Sequence, residues 1–114
     1  MFDLIVALKV KEPAEIQAVA DALTRMRPMC LAEPGCVSWE ALHSTGDETV
    51  FTLVERWENE EVWETHGELR AIQDVYLPEI LPRVTREIHP SRRLGHRSSA
   101  PGDPAEAAVQ RPTA

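Results

Sequence analysis

The stretch ERWENEEVWETH, residues 55–66, places five glutamates, two tryptophans and a histidine in twelve positions. Carboxylates and imidazole move protons near neutral pH, and indole rings make flat apolar walls. A dense acidic run is also the composition of a solvated helix face. Register separates the two readings. With Glu60 set at zero and about 100° per residue, Glu64 and Glu68 fall about 40° and 80° round and Glu61 near 100°. On the same wheel Val62, His66 and Trp63 fall near 200°, 240° and 300°. The glutamates therefore form a wet stripe, and no H-E-x-x-H metal signature is present. His66 points inward between two apolar neighbours. It is either a hydrogen-bonded core histidine or the best titrating group of a site.

In the segment before it, period-2 alternation puts Phe51, Leu53, Glu55 and Trp57 on one face and Val50, Thr52, Val54 and Arg56 on the other. If the first face meets the helices, Glu55 is a carboxylate inside an apolar layer. Burial then raises its pKa unless a donor such as Arg86 or His66 satisfies it. A structural ion pair is the alternative. Trp57 and Trp63 are core aromatics or the walls of a slot for a planar ligand. Ser38, Ser44 and Thr45 form no nucleophile elbow, and no glycine-rich phosphate loop appears. Hydrolase and nucleotide-binding chemistry thus have no positive support.

Several elements must position these groups. FDLIVALKV, residues 2–10, is apolar and β-branched and reads as a strand ahead of Glu12-Pro13, where a helix begins with proline in its first turn. Ile16, Val19, Ala20, Leu23 and Met26 or Arg27 keep the rhythm of an amphipathic helix, which Pro28 should kink or shorten and EPG, residues 33–35, should end. CVSWEALHS and TVFTLVERW alternate around TGDE and predict a hairpin. Asn59 is a candidate N-cap for the next helix, and Gly67 could break it. A second helical piece runs through Leu69, Ile72, Tyr76 and Ile80 to Pro82, and a last strand covers about 83–89. The order β-α-β-β-α-β is that of an α+β, ferredoxin-like domain with an antiparallel four-stranded sheet.

The 114 residues fit one domain, expected over 1–90, followed by a disordered tail over 91–114 that is rich in Pro, Gly, Ser and Ala. Residues 1–90 carry 8 basic and 17 acidic side chains, net −9, and the tail carries 4 and 2, net +2, which sums to the chain's −7. An acidic domain of this kind predicts neither a nucleic-acid partner nor an anionic membrane. No segment approaches the roughly 20 apolar residues of a membrane span. The start MFDLIVALKVKEP lacks the basic end and small-residue cleavage site of a signal peptide, so a cytoplasmic location is expected. Cys30 and Cys36 match neither a zinc pair nor a C-x-x-C motif and are expected as free thiols.

The run AEPGCVSWEAL, followed by FTLVERWENEEVWETH, resembles the antibiotic biosynthesis monooxygenase family over about residues 2–90. The resemblance rests on the E-P-G-C turn into an aromatic-bearing strand and on E-x-W-x-x-x-x-x-W-x-x-H. It implies a homodimer whose sheets close into an α+β barrel, with a pocket between sheet and helices in each subunit. It also implies oxygenation of a small phenolic, quinol or polyketide-derived aromatic substrate by O2, with no cofactor and no metal. Trp57 matches the strand-end tryptophan of polyketide quinone-forming oxygenases and haem degraders, and His66 matches the histidine of the quinol-monooxygenase and isomerase branches. These two are the implied catalytic residues. Trp63, Tyr76, Leu53 and Phe51 are the implied pocket walls, with Glu55 and Arg86 as orienting charges. The sequence departs from each branch: strand 1 has no asparagine, Tyr76 stands where haem degraders have histidine, Leu53 where quinone-forming oxygenases have asparagine, and Ala71 where a second helix histidine falls. An isomerase or cyclase of the same fold, or a non-catalytic small-molecule-binding protein, are the competing readings.

Overall fold

The computed structural model describes residues 1–66 and 70–95, with the side chain of His66 outside that description. Its elements are β1 (Phe2–Val10), a 3-10 turn (Pro13–Glu15), α1 (Ile16–Leu31), β2 (Cys36–His43), β3 (Val50–Trp57), α2 (Glu60–His66), a wide helix α3 (Ala71–Ile80), a second 3-10 turn (Leu81–Arg83) and β4 (Val84–Ser91). The strands form one antiparallel sheet in the order β2-β3-β1-β4. This is the expected ferredoxin-like arrangement, in which the first and third strands lie at the centre.

Alternation decides which side chains the sheet buries. Leu4, Val6, Leu8 and Val10 of β1 lie on the helix side, opposite Glu55, Leu53 and Phe51 of β3 and flanked by β4. Helix α1 answers with Val19, Ala22, Leu23, Met26 and Cys30, a spacing that keeps one stripe against the sheet. Of these, Val19, Leu23 and Met26, fully buried, each contribute about 1.5–3 kcal/mol. Pro28 does not shorten α1, which continues to Leu31. The proline is exposed and sits in the last turn; it lacks the N–H that would bond the Thr24 carbonyl, yet its own carbonyl still accepts from the Ala32 amide at 3.1 Å. Gly35 then takes φ +89, a left-handed conformation that favours glycine, and ends the turn.

The hairpin loop is built by side chains and not by a left-handed glycine. Ser44 Oγ accepts from the amides of Gly46 and Asp47 at 3.2 and 3.0 Å, and Asp47 Oδ1 accepts from the amide and hydroxyl of Thr49 at 3.0 and 2.7 Å. Asn59 caps α2 as expected, its Oδ1 accepting from the Val62 amide at 2.9 Å. The break expected at Gly67 lies outside the described residues. Helix α3 is wound as a π-helix, with Ala71, Val75, Tyr76 and Ile80 buried. Steps of four and five residues suit i→i+5 winding and turn Tyr76 to the sheet.

Strand β4 reaches Ser91, two residues beyond the expected strand, and Arg93 Nε lies 3.4 Å from Asp3 Oδ1. Residues 96–114 of the expected tail lie outside the described residues. The sheet face away from the helices carries Ile5, Ala7, Thr52 and Val54, all half-buried. Among the described residues no helix is long and apolar enough to cross a membrane.

Candidate functional site

Helices α1, α2 and α3 do not cover the sheet completely. Between them and the strands lies a cavity of about 350 Å³. Its floor includes Leu4, Val6, Leu53 and Glu55, and its walls include Trp39, Met26, Trp63, Tyr76 and Arg86. This is the size and apolar character of a small-molecule site with few polar groups.

Glu55 is the polar group of the floor. In β3 it sits between Trp39 of β2 and Leu4 of β1, so both lateral neighbours are apolar. The side chain is only 6 % exposed, and burial pushes its carboxyl up to about 7. The Trp57 indole N–H donates to Glu55 Oε1 at 3.0 Å and opposes that rise, while Glu33 adds to it. Of the two donors expected for Glu55, the His66 side chain lies outside the described residues. Arg86 does not reach Glu55, because β4 pairs Arg86 with Leu8, whereas Glu55 faces Leu4 four residues away.

Arg86 instead turns to Tyr76. Its Nη1 donates to the Tyr76 hydroxyl at 3.4 Å, and its guanidinium carbon lies 5.7 Å from the ring centre. Burial raises the Tyr76 phenol above its ordinary value, and the Arg86 contact works against that. Trp63 is fixed from α2 by its ring lying 5.3 Å from that of Phe2, tilted 32°. The helix itself is held close to the turn after α1. A Cβ at Gly35 would overlap Val62 Cγ1, and the Glu58 amide donates to the Gly35 carbonyl at 2.9 Å.

Five of the residues singled out in the sequence line the cavity together: Leu53, Glu55, Trp63, Tyr76 and Arg86. Trp57 and Phe51 do not line it. Trp57 is fully buried and donates its indole N–H to Glu55, whose carboxyl does line the cavity. Phe51 stacks on His43 at 4.0 Å and borders a separate shallow groove beside α1. Helix α2 extends to His66, whose side chain is outside the described residues. The glutamates of α2 are exposed at 60, 61 and 64, with Glu64 also at the cavity edge.

Sequence reasoning missed Trp39 and Met26. The signal for Trp39 was the hairpin register, which sets it directly opposite Glu55. A bulge between Cys36 and Ser38 also turns Cys36 to the same face as Trp57. Cys30 is buried and Cys36 half-buried, both free; burial raises both thiols, Cys36 to about 11.

The profile of the antibiotic biosynthesis monooxygenase family matches residues 1–76, and the chain belongs to that family. A Bacteroides thetaiotaomicron protein of unknown function, described as a possible oxidoreductase, is 23 % identical with a TM-score of 0.69, covering 79 % of this chain and 94 % of its own. A Deinococcus radiodurans protein that carries the family's name is 18 % identical with a TM-score of 0.71, covering 90 % of this chain and 100 % of its own. Another structure named antibiotic biosynthesis monooxygenase is 15 % identical with a TM-score of 0.71, covering 80 % and 97 %. At these identities the structures establish the fold. No curated protein is a significant match.

Proposed function

We propose that this chain is a cofactor-independent monooxygenase that oxidises a small phenolic, quinol or polyketide-derived aromatic with O2. The observation that carries the reading is Glu55, a buried carboxyl with a pKa of about 7 in the floor of an aromatic cavity. In a reaction of this class the substrate supplies all the electrons. A phenol and O2 give a quinone and water: one oxygen atom becomes the new carbonyl, the other leaves as water, and four electrons come from the ring. The protein must remove the phenolic proton, stabilise the anion and keep bulk water out.

Glu55 suits the first task. Its carboxylate form is present above about pH 7, and a base near the working pH transfers protons efficiently. Trp57 is a positioning residue, holding Oε1 through its indole N–H. Arg86 and the Tyr76 hydroxyl offer donors to an oxyanion, and Trp39 and Trp63 offer faces for a flat ring. His66 remains a proposed second base or anion stabiliser on α2. The reading includes a second copy paired through the open sheet face of Ile5, Ala7, Thr52 and Val54.

Incubation of metal-stripped, flavin-free protein with anthrone- and naphthol-type substrates under 18O2 tests this. One labelled oxygen in a quinone product supports it. Turnover without oxygen supports an isomerase or cyclase, and binding without turnover supports a binding protein.

A further inference from the structure

The chain has three methionines and two cysteines, all among the described residues. Their surroundings differ. Met1 is 63 % exposed, Met29 is half-buried, and neither these two nor Cys30 and Cys36 line the cavity. Met26 of α1 is only 1 % exposed, and among the described residues it is the one sulfur side chain in the cavity lining. The sulfurs also differ in what oxidises them. A thiol reacts with peroxides through its thiolate, and burial holds both cysteines as thiols at neutral pH. A thioether needs no ionisation; its sulfur takes one oxygen atom from a peroxide and becomes a sulfoxide. Peroxide in bulk water meets exposed Met1 well before a core side chain such as Met26. Oxidation of Met26 ahead of Met1 in the folded chain therefore requires an oxidant that arises inside the cavity.

The proposed reaction supplies one. One atom of O2 becomes the new carbonyl and the other leaves as water, so a C–O bond forms before the O–O bond breaks, and the species between is a substrate hydroperoxide. Loss of water from it gives the quinone. Its other exit is transfer of the terminal oxygen to a thioether. The O–O bond then breaks and an S–O bond forms; the sulfur gives up two electrons, the peroxide takes them, and the hydroperoxide proton stays on the substrate oxygen as an alcohol. Resting on the reading of this chain as an oxygenase, we infer that Met26 is a modification site of the protein's own turnover, oxidised to its sulfoxide by substrate hydroperoxide formed in the cavity. The sulfoxide sets a polar oxygen in a lining that includes Leu4, Leu53 and Trp39. The altered cavity holds a flat apolar substrate less well, and activity declines with the number of turnovers completed.

Turnover of the full chain with an anthrone-type substrate under 18O2, with and without catalase, tests this, fragment mass spectrometry of the digested protein locating the label. Labelled sulfoxide builds up on Met26 in proportion to turnovers, about tenfold or more ahead of Met1, and catalase does not lower it. Unlabelled hydrogen peroxide added without substrate gives the opposite order, Met1 ahead of Met26. Activity falls in step with the Met26 sulfoxide. In Met26→Leu, which nearly keeps the volume and removes the sulfur, the loss per turnover is slower by about threefold or more. Quinone formation with Met26 left unoxidised overturns the inference and leaves the oxygenase reading standing. Label that catalase removes, or that gathers first on Met1, overturns it too, since the oxidant has then passed through solution. Loss of activity in Met26→Leu at the wild-type pace overturns the effect assigned to the sulfoxide. Absence of any oxygen uptake above autoxidation overturns the inference together with the oxygenase reading on which it rests.

Discussion

The Trp57 indole N–H donates to Glu55 Oε1 at 3.0 Å, joining a fully buried ring to a carboxyl that forms part of a cavity floor. The two residues are neighbours on one face of β3, so the strand itself presets the bond. An indole has a donor and no acceptor, and it therefore favours the ionised form of Glu55. The bond moderates the rise that burial imposes.

Removing that donor moves the balance in one direction. In Trp57→Phe the Glu55 carboxyl rises by roughly one pH unit above its wild-type value, the size of a lost hydrogen bond to a charged group. Carboxyl titration followed by carbon-13 NMR of labelled glutamate reads this. An unchanged or lower value would show that the indole does not hold the carboxylate.

Glu55 also sets how stability depends on pH. Its folded pKa, about 7, lies above the ordinary value of 4.5. Between those values the folded chain retains a proton that the unfolded chain has released, so stability falls as pH rises through this window. Below about 4.5 both states are protonated and the effect vanishes; above about 7 it is complete, at roughly 3 kcal/mol. Glu55→Gln removes the ionisation, and its stability relative to wild type should climb by about 2–3 kcal/mol between pH 4.5 and 8. Urea unfolding of both proteins across that range measures it, and parallel curves would contradict the burial argument.

The approach of Gly35 to Val62 is tight enough to be tested as a pair. Gly35→Ala must adopt a left-handed conformation and overlaps the Val62 side chain, so it destabilises by about 2–4 kcal/mol. Trimming the neighbour in Gly35→Ala/Val62→Ala relieves the overlap but not the conformational cost, and the two changes couple favourably by about 1 kcal/mol. Additive losses in chemical denaturation would mean that α2 is not seated on this turn.

Both thiols should be slow. Cys30 is buried and Cys36 is pushed up to about 11, so little thiolate exists at pH 8. Iodoacetamide should label the folded protein far more slowly than the urea-unfolded chain, with Cys36 reacting before Cys30. Rapid labelling of Cys30 in the folded state would contradict its burial.

Much of this site was legible before any coordinates. Alternation placed Phe51, Leu53, Glu55 and Trp57 on the helix side, and all four are buried there. The 100° wheel placed Glu60, Glu61 and Glu64 in water and turned Val62 and Trp63 inward, as found. Alternation gives a face but no depth, so it could not show that Glu55 meets the cavity while Trp57 and Phe51 lie outside it. The partner of Arg86 depended on the register of β4, which side-chain periodicity leaves open to shifts of two residues. Helix α3 was read with α spacing, whereas it is wound as a π-helix that buries Ala71, Val75, Tyr76 and Ile80. Pro28 was expected to kink or shorten α1, and from its place in the final turn it leaves the helix running to Leu31.

The most direct test of Glu55 as the proton acceptor is the pH dependence of oxygen uptake with an anthrone-type substrate, with protein-free autoxidation subtracted at each pH. Wild-type protein should show a rate that rises through about pH 7 to a plateau, as the carboxylate form of Glu55 fills. Glu55→Gln should lose that rise and fall by about 10²-fold or more on the plateau. Uptake no faster than autoxidation, or a Glu55→Gln profile that overlays the wild type, would contradict the account.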